Sequence, residues 1–489
     1  MTRHAVIPRA TNGSCKIQRT IHGLFISTMA TGPGTTDNAR RYQALERLLR
    51  HEARSAQALT AALDISQPTL SRTIQAHPDT LSAFRITGDR TPRYGLLRQL
   101  PGGLSARQNI YRISDQGTMA PFATVEFLGG GATLERRSTR TTLYGGLPPY
   151  MAFASPSGFL GRQVARAAAS DLQFPDSLKD WSDDHRVAYL FTRGLNLPGN
   201  LVYGDAGLQR EMDFRELAPT RSADKPAHFV AMANQLKDAA YGSSAGGEQP
   251  KFLGLVQDLG HVIVKFARQG SRMAALLPLE DLALRSLAAV GVPAARSRLS
   301  MAGAYVFLEV QRFDRQGRHG RIGMLSCGAI DDEFFGARDT WSEFAARCVQ
   351  ARYLPASGAR HIDVMAAFSE LIGNGDRHFD NISFLLREDG GYASVAPAYD
   401  ILPMRYAPIG GGVDPDLLPI TPRLGTIGAK PEVWSSALDA ARRFWTAVQQ
   451  GRVEAPVSRS FRALAARNLA AAEAFVVPLL PPSATHRRS

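Results

Sequence analysis

The segment "LIGNGDRHFDNISFLL", residues 371–386, decides how this chain is interpreted. Between two apolar runs it places two acidic residues, a histidine and an asparagine. Asn381 follows Asp376 by five positions, with His378 between them. A solvated turn that joins a helix to a strand is the usual explanation of an isolated acidic segment of this kind. The sequence on either side therefore has to supply chemical partners for these side chains before a site can be inferred.

Downstream, the chain continues as a short hairpin that leads to another acidic residue. The segments "ISFLL" and "YASVA" predict two strands around the polar turn 387–391, because aromatic and β-branched residues flank a Gly-containing turn. The second strand leads into "PAYDIL", which contains Asp400. A carboxylate after such a hairpin can join Asp376 and Asn381 in one site.

Upstream, "YGSSAGGEQPKFLGLVQDLGHVIVKFA", residues 241–267, predicts a phosphate-binding loop followed by two strands. Small residues let the backbone approach a ligand and direct several N–H groups at it. The spacing is not that of a Walker loop. Only seven of the 57 basic residues are lysines, and two of them lie here; an ammonium group binds phosphate as a compact point charge. The predicted phosphate-contacting residues are Ser243, Ser244, Gly246, Gly247, Lys251 and Lys265.

These segments occur in the order that protein kinases use: glycine-rich loop, lysine on a strand, an Asp-to-Asn loop and a second aspartate. Phosphoryl transfer mainly needs positioning and charge neutralisation. We predict that Asp376 orients the accepting hydroxyl and takes its proton, and that Lys265 binds phosphate oxygens of ATP. Asn381 and Asp400 are expected to hold Mg²⁺. His378 is expected to hydrogen-bond at the nucleotide side of the loop, since Mg²⁺ prefers oxygen ligands.

Two further segments complete the predicted nucleotide site. The amphipathic helix "LLPLEDLALRSLAAVGV" carries Glu280, which either pairs with Lys265 or is solvated. The strand "AYVFLEVQRFDR", residues 304–315, is expected to end between two lobes, with adenine bound by the backbone near Glu309 and Val310. Two nearby acids are expected to be structural partners only: Asp314 and Asp380.

The N-terminal region predicts a different activity. Helices are expected from Arg40, from Ser55 to Leu63, and after Ser66 in "DISQPTLSRTIQ", and "AFRITGDRTPRYGLL", residues 83–97, predicts two strands around a Gly-Asp turn. This order of elements resembles winged helix-turn-helix domains. In those domains, the second of the two helices joined by the turn lies in the DNA major groove. A helical bundle for protein contacts is the alternative. The predicted DNA-contacting residues are Gln67, Thr69, Ser71 and Arg72.

Charge and composition fit this division. The formal net charge is +13, and residues 1–39 carry four basic and one acidic residue while residues 40–100 carry ten and five. Such a skew favours an anionic partner for the N-terminal part, nucleic acid first. The three cysteines are scattered, which indicates neither disulfides nor a metal cluster and fits a reducing cytoplasm. No apolar run is long enough to cross a membrane, so no membrane partner is expected.

The motifs "SSAGGEQPKF", "VIVKF", "RFDR", "GNGDRHFDNISFLL" and "AYDIL" together resemble the HipA family of serine/threonine kinase toxins of bacterial toxin–antitoxin systems, from about residue 120 to about 450. The resemblance implies a two-lobed α+β kinase that uses ATP and magnesium. It also implies an aminoacyl-tRNA synthetase as protein substrate, and autophosphorylation of a loop serine, for which Ser243 matches and Ser244 is the second candidate.

One departure from the family pattern is that its DNA-binding antitoxin is usually a separate chain. The N-terminal helix-turn-helix makes the sequence most similar to the YjjJ-type branch, and it is expected to bind an operator or to act as a built-in antitoxin. A separate antitoxin chain stays open as a partner. The expected plan is a disordered basic tail, 1–39; a winged helix-turn-helix, 40–100; a β-rich kinase N-lobe, 104–310; and a helical C-lobe, 311–480.

Two other functions remain open from the sequence. The "GDRHFDN" segment also resembles the catalytic loop of phosphatidylinositol kinases, and D-x-H-x-x-N occurs in small-molecule phosphotransferases. A DNA-binding regulator with an inactive kinase domain is the third reading. That reading predicts the loss of at least one residue among Lys265, Asp376, Asn381 and Asp400, and all four are present.

Overall fold

The computed structural model describes residues 33–241, 249–409, 412–453 and 457–481 and has a mixed α/β architecture. The first unit combines three helices with a small antiparallel sheet of order β1–β3–β2. The side chains of Ser55 and Ser66 cap the second and third helices, as the sequence predicts. Its elements are α1 (Pro33–Leu49), β1 (Arg54–Ser55), α2 (Ala56–Leu63), α3 (Gln67–Gln75), β2 (Leu81–Phe84) and β3 (Arg93–Leu96).

Helix α1 begins at Pro33 and not near Arg40, which corrects the expectation that the tail extends to residue 39. A proline is tolerated in the first turn of a helix, because no hydrogen bond is lost there. One turn further, Arg41 pairs with Asp37 across the exposed surface of the helix. The apolar side of α1 then packs through Leu45 and Leu49 into the core of this unit.

The second unit is a five-stranded antiparallel sheet of order β7–β6–β5–β4–β8 with helices packed against it. Its core contains Phe127, Leu190 and Phe191, which are almost completely buried. The elements are β4 (Arg107–Ile113), β5 (Met119–Phe127), β6 (Thr133–Arg136), β7 (Thr141–Tyr144), α4 (Pro149–Ala154), α5 (Gly158–Leu172), α6 (Asp183–Arg193), β8 (Leu201–Tyr203) and α7 (Gly204–Glu216).

The first and second units are joined tightly. Gly129 and Gly130 lie against the backbone that follows α1, and a Cβ at either position would collide with the carbonyl oxygens of residues 49–51. On the other side of the junction, the loop between β2 and β3 meets β7, because the Thr87 amide donates to the Thr141 carbonyl at 3.0 Å. These contacts fix the orientation of one unit on the other.

The third unit is a four-stranded antiparallel sheet of order β11–β12–β10–β9 between two helices. Helix α8 covers one face, where Phe229 contacts Phe252 and Phe307. Helix α9 covers the other face and is buried along most of its length. The elements are α8 (Lys225–Tyr241), β9 (Lys251–Val256), β10 (Gly260–Arg268), α9 (Arg272–Ala288), β11 (Ser297–Ala302) and β12 (Tyr305–Gln311).

The C-terminal part is mainly helical and shares one continuous core with α9 and β12. The predicted hairpin around residues 387–391 is present, as the pair β16–β17. The described helices include none that is both long and apolar enough to cross a bilayer. The elements are β13 (Arg315–Gln316), β14 (Gly320–Arg321), β15 (Gly323–Ser326), α10 (Cys327–Phe334), α11 (Trp341–Gln350), α12 (Ala356–Ile372), β16 (Ser383–Leu386), β17 (Tyr392–Val395), α13 (Pro431–Gln449) and α14 (Arg459–Val476).

Candidate active site

Lys265, in the middle of β10, is the centre of a buried charge cluster. Its Nζ lies 2.7 and 2.8 Å from the two carboxylate oxygens of Glu280 on α9, and 2.5 Å from Oδ1 of Asp400. The predicted pairing of Lys265 with Glu280 is therefore present. Lys251 lies directly opposite Lys265 in the β9–β10 ladder, so its side chain is on the same face of the sheet.

Attraction between Lys265 and Asp400 shifts the pKa of each side chain toward its charged form. Burial alone lowers the pKa of Lys265, but the charges of Asp400 and Glu280 outweigh it and raise that pKa. Burial likewise raises the pKa of Asp400, but the positive charges of Lys265 and Lys251 lower it well below the usual range.

Asp400 is held in place by its backbone and by its neighbour. Its φ of 56° lies in the left-handed region, which aspartate adopts more readily than most residues. The hydroxyl of Tyr399 donates to the carbonyl of Asp380 at 2.7 Å and lies 2.8 Å from the hydroxyl of Ser383. Tyr399 thus connects the segment that carries Asp400 to the segment that carries Asn381.

The loop from Asn374 to Asn381 is fixed by its own hydrogen bonds. Helix α12 ends at Gly373, whose φ is 76°. The Asn374 side chain accepts a hydrogen bond from the Asp376 amide at 3.1 Å, and the Asn381 Nδ2 donates to the Asp376 carbonyl at 2.9 Å. The five-residue spacing seen in the sequence therefore closes a compact loop. Asn381 is buried, whereas the Asp376 side chain is 46% exposed and available to a second molecule.

His378 lies between these residues and faces Asp376. Its Nε2 is 3.8 Å from Oδ1 of Asp376, and its side chain is 53% exposed. The indole N–H of Trp341, at the start of α11, donates to the His378 carbonyl at 3.2 Å. Nothing in the sequence identified Trp341 as a support of this loop, because the contact joins residues that are far apart in the chain.

A cavity of about 440 Å³ opens beside the loop. Asp376 and His378 line one side of it, and the start of α11 and the segment 423–427 line the other. Arg377, also on this wall, is paired with Glu370 at 2.5 Å. The cavity is large enough for a side chain or a short segment of another protein.

Glu309 and Val310 do not present free backbone groups, which corrects their expected role with adenine. Both lie inside β12, which pairs with β10 on one side and β11 on the other. Their N–H and C=O groups are therefore used within the sheet. Within the described residues, the Phe313 amide, two positions beyond the end of β12, makes no hydrogen bond to the backbone.

The Glu309 side chain lies on the face of the sheet opposite to Lys265 and is buried with Lys225 of α8. The Lys225 Nζ lies 2.9 Å from Glu309 Oε1 and 3.2 Å from Asp258 Oδ2. This contact was not predicted. A buried lysine at the start of a helix carries no local sequence signal that would distinguish it from a solvated one.

The residues proposed for Mg²⁺ offer suitable ligand atoms. Among the described residues, Oδ2 of Asp400 and Oδ1 of Asn381 make no hydrogen bond. Carboxylate and amide oxygens are hard ligands, and Mg²⁺ sites in proteins typically combine one or two of them with water and phosphate oxygens. The described part of the chain contains no group of three or more His, Cys, Asp or Glu residues that could hold a metal alone. The donor set therefore fits a magnesium ion that a nucleotide also binds.

The other two acids near the site have structural partners, as expected. Asp314 accepts hydrogen bonds from Arg312, Arg315 and the Gly199 amide. Asp380 accepts one from the Ser326 hydroxyl at 2.9 Å. The predicted loop residues lie outside the described residues: Ser243, Ser244, Gly246 and Gly247.

The four residues predicted to contact DNA lie on one helix of the N-terminal unit. Gln67 and Arg72 are exposed, while Thr69 and Ser71 are half-buried. The Arg72 side chain lies along α3, with Nε 3.4 Å from the Pro68 carbonyl. The apolar residues Leu70 and Ile74 on the opposite side of α3 are buried in the core of the unit.

Comparisons with known proteins agree with the sequence motifs. A family model described as the HipA-like C-terminal domain matches residues 243–464, and one described as the YjjJ-like toxin, middle domain, matches residues 104–212. The toxin YjjJ of Escherichia coli (strain K12) is 31% identical over 430 residues, which cover 86% of this chain and 94% of that protein. The chain belongs to the HipA-like toxin family.

Two solved structures are more distant. A chain from the complex of the Shewanella oneidensis MR-1 toxin–antitoxin proteins HipA and HipB with operator DNA is 16% identical and covers 75% of this chain and 97% of its own length, with a TM-score of 0.47. The Helicobacter pylori proinflammatory kinase CtkA is 10% identical and covers 47% of this chain and 92% of its own length, with a TM-score of 0.34.

Proposed function

We propose that this toxin-family protein is an ATP-dependent serine/threonine protein kinase. The observation that carries the proposal is the contact of one buried lysine, Lys265, with both Glu280 and Asp400, beside the loop that holds Asp376 and Asn381. A lysine–glutamate pair and a metal-binding aspartate at one nucleotide site are the arrangement that protein kinases require.

Each residue has a role in this proposal that follows from its position. When bound, ATP supplies the phosphoryl group and Mg²⁺ neutralises its charge. Lys265 and Lys251 bind phosphate oxygens, and Asp400 and Asn381 hold the metal. The exposed carboxylate of Asp376 orients the substrate hydroxyl at the mouth of the cavity and accepts its proton. Adenine hydrogen-bonds to the Phe313 amide, beyond the end of β12, in place of the backbone of Glu309 and Val310.

A protein substrate is favoured over a lipid or a small metabolite by the cavity beside Asp376, which has room for a segment of another chain. An aminoacyl-tRNA synthetase is the target that the family resemblance suggests. Ser243 and Ser244 are the proposed autophosphorylation sites, because the family resemblance implies modification of a serine in the glycine-rich loop.

The test uses the full chain with labelled ATP and Mg²⁺, alone and with cell lysate. We expect label on Ser243 or Ser244 and on a lysate protein, and we expect Asp376→Asn to lower the rate by ~10²–10⁴ because the base is lost. Asp389→Asn, on the exposed turn of the β16–β17 hairpin, is the matched control and keeps full activity. Label in lipid or a metabolite would point to the alternative kinases, and no label at all to an inactive regulator.

We further propose that residues 40–100 bind duplex DNA through Gln67, Thr69, Ser71 and Arg72. Support comes from the capped helix pair α2–α3 and the β2–β3 hairpin that follows it. Affinity for duplex DNA should fall steeply with salt, with a log–log slope of about −0.9 per phosphate contacted. A flat salt response contradicts DNA binding and indicates protein contacts, for example with a separate antitoxin chain.

A further inference from the structure

The hairpin loop of the N-terminal unit, residues 85–92, and the β6–β7 turn of the second unit, residues 137–140, form one continuous edge. The Thr87 amide donates to the Thr141 carbonyl at 3.0 Å, and the Thr141 amide donates to the Thr87 hydroxyl at 2.8 Å. Close by, Nη2 of Arg136 donates to the Ala83 carbonyl at 3.1 Å. The two turns therefore keep a fixed position relative to each other.

Three arginine side chains on this edge are exposed: Arg85 and Arg90 on the first turn and Arg140 on the second. None of these side chains makes a hydrogen bond or ion pair with a described residue, although the Arg140 carbonyl accepts a hydrogen bond from the Arg137 amide. The neighbouring arginines differ, because they form ion pairs within the protein. Arg93 pairs with Asp89 at 3.3 Å, and Arg137 pairs with Glu135 at 2.7 Å.

Exposed guanidinium groups along one edge give that edge a positive potential, so it is suited to an anionic ligand. A guanidinium binds phosphate through two parallel hydrogen bonds, which makes arginine effective on a nucleic-acid backbone. The tip of the second turn also exposes the hydroxyls of Ser138 and Thr139, which can donate to phosphate oxygens.

We propose that the β6–β7 turn of the second unit extends the DNA-binding surface beyond residues 40–100, with Arg140 on the phosphate backbone next to Arg85 and Arg90. The inference rests on the proposed DNA binding and adds a contact from a part of the chain that belongs to the toxin's middle domain. Because the two turns are joined through Thr87 and Thr141, the contacted phosphates lie beside those that the hairpin loop contacts.

The test measures binding of the full chain to a mixed-sequence duplex by fluorescence anisotropy between about 50 and 200 mM salt. Arg140→Ala should weaken binding about three- to tenfold at ~0.1 M salt and reduce the log–log salt slope by about 0.9, because one phosphate contact is lost. Arg140→Lys keeps the charge and should keep the slope. Arg443→Ala, an exposed arginine on α13, is the control and leaves both quantities unchanged.

The outcomes separate this inference from the proposal on which it rests. If the unchanged protein binds with a steep salt slope and Arg140→Ala binds equally well, the extended surface is wrong while DNA binding by the N-terminal unit stands. If Arg72→Ala weakens binding and Arg140→Ala does so as well, both are supported. If the unchanged protein shows no salt-dependent binding, both are wrong. A melting temperature for each variant excludes loss of the fold as the cause.

Discussion

Two buried charge clusters in this protein have opposite charge balance and different connections: one cation between two carboxylates, and one carboxylate between two cations. The cleft cluster consists of Lys265, Glu280 and Asp400. The junction cluster consists of Arg312, Asp314 and Arg315, where the third unit meets the segment that precedes β8. In both, burial raises the pKa of the aspartate, and neighbouring cations outweigh that effect and hold the pKa well below its usual range.

The clusters differ in what remains for a ligand. Both oxygens of Asp314 are occupied: Oδ1 accepts from Arg312 at 3.0 Å, and Oδ2 accepts from Arg312, Arg315 and the Gly199 amide at 2.6–2.8 Å. Among the described residues, Asp400 has one partner, Lys265, on one oxygen. A low pKa thus indicates only that a buried carboxylate has cationic neighbours. The carboxylate oxygen without a hydrogen bond is what distinguishes a ligand-binding aspartate, Asp400, from a structural one, Asp314.

The largest effects are expected when each aspartate is neutralised. Asp400→Asn should lower the phosphorylation rate by about 10²–10³, because a charge that stabilises the transferring group is lost. It should destabilise the fold less than Asp314→Asn, because Lys265 keeps Glu280 as a counter-charge. Asp314→Asn should destabilise the fold by about 3–5 kcal/mol, because two buried guanidinium groups lose their counter-charge. Phosphorylation rates of the folded fraction and urea unfolding curves measure the two effects. Equal loss of stability in both variants contradicts the distinction between the clusters.

A smaller effect is expected from His261, whose carbonyl accepts from the Arg312 amide. Burial, together with the charges of Arg315 and Arg312, lowers the pKa of His261 to about 4, although its contact with the Arg318 carbonyl opposes this. The unfolded chain takes up this proton near pH 6.5, so stability contributed by neutral His261 is present above pH 6.5 and is lost as the pH falls toward 4. The loss should amount to about 3 kcal/mol.

Unfolding at a series of pH values measures this dependence. His261→Gln should show a flatter loss of stability between pH 6.5 and 4 than the unchanged protein. His228→Gln, an exposed position on α8, is the control and keeps the original dependence. An identical pH dependence in the unchanged protein and His261→Gln would exclude His261 as its source.

The smallest effect concerns the second lysine of the cleft. Lys251 lies opposite Lys265 on the face of the cleft cluster, and its side chain makes no hydrogen bond or ion pair with a described residue. Lys251→Ala should raise the KM for ATP about tenfold, which corresponds to ~1.4 kcal/mol, and leave the melting temperature unchanged. Lys179→Ala, an exposed lysine of the second unit, should change neither quantity. A loss of stability without a change in the KM for ATP would show that Lys251 has a structural role and does not bind ATP.

The local parts of the fold were predictable from the sequence. Helix caps at Ser55 and Ser66 and the β16–β17 hairpin depend on residues within a few positions of one another, so their signals are local. The pairing of Lys265 with Glu280 was predictable because strand and helix follow each other directly in the chain. The remaining site residues were predicted from their order along the chain, which matches the order in protein kinases.

The errors and omissions share one physical cause. The backbone of Glu309 and Val310 is unavailable because β12 has a neighbouring strand on both sides. The order of strands in a sheet cannot be inferred from the sequence of one strand. The support of the His378 carbonyl by Trp341 and the burial of Lys225 with Glu309 likewise depend on distant contacts. Within the predicted N-lobe, residues 104–240 were assigned no site residues for the same reason, although this region contains Arg140.

The close packing at Gly129 and Gly130 limits how the N-terminal unit can regulate the enzyme. Because these contacts fix the N-terminal unit against the second unit, it cannot rotate to cover the site of its own chain. In the described residues it makes no hydrogen bond to the loop 374–381. Obstruction of the site by the described part of the N-terminal unit, residues 33–100, would therefore require a second copy of the chain, so its strength would rise with protein concentration.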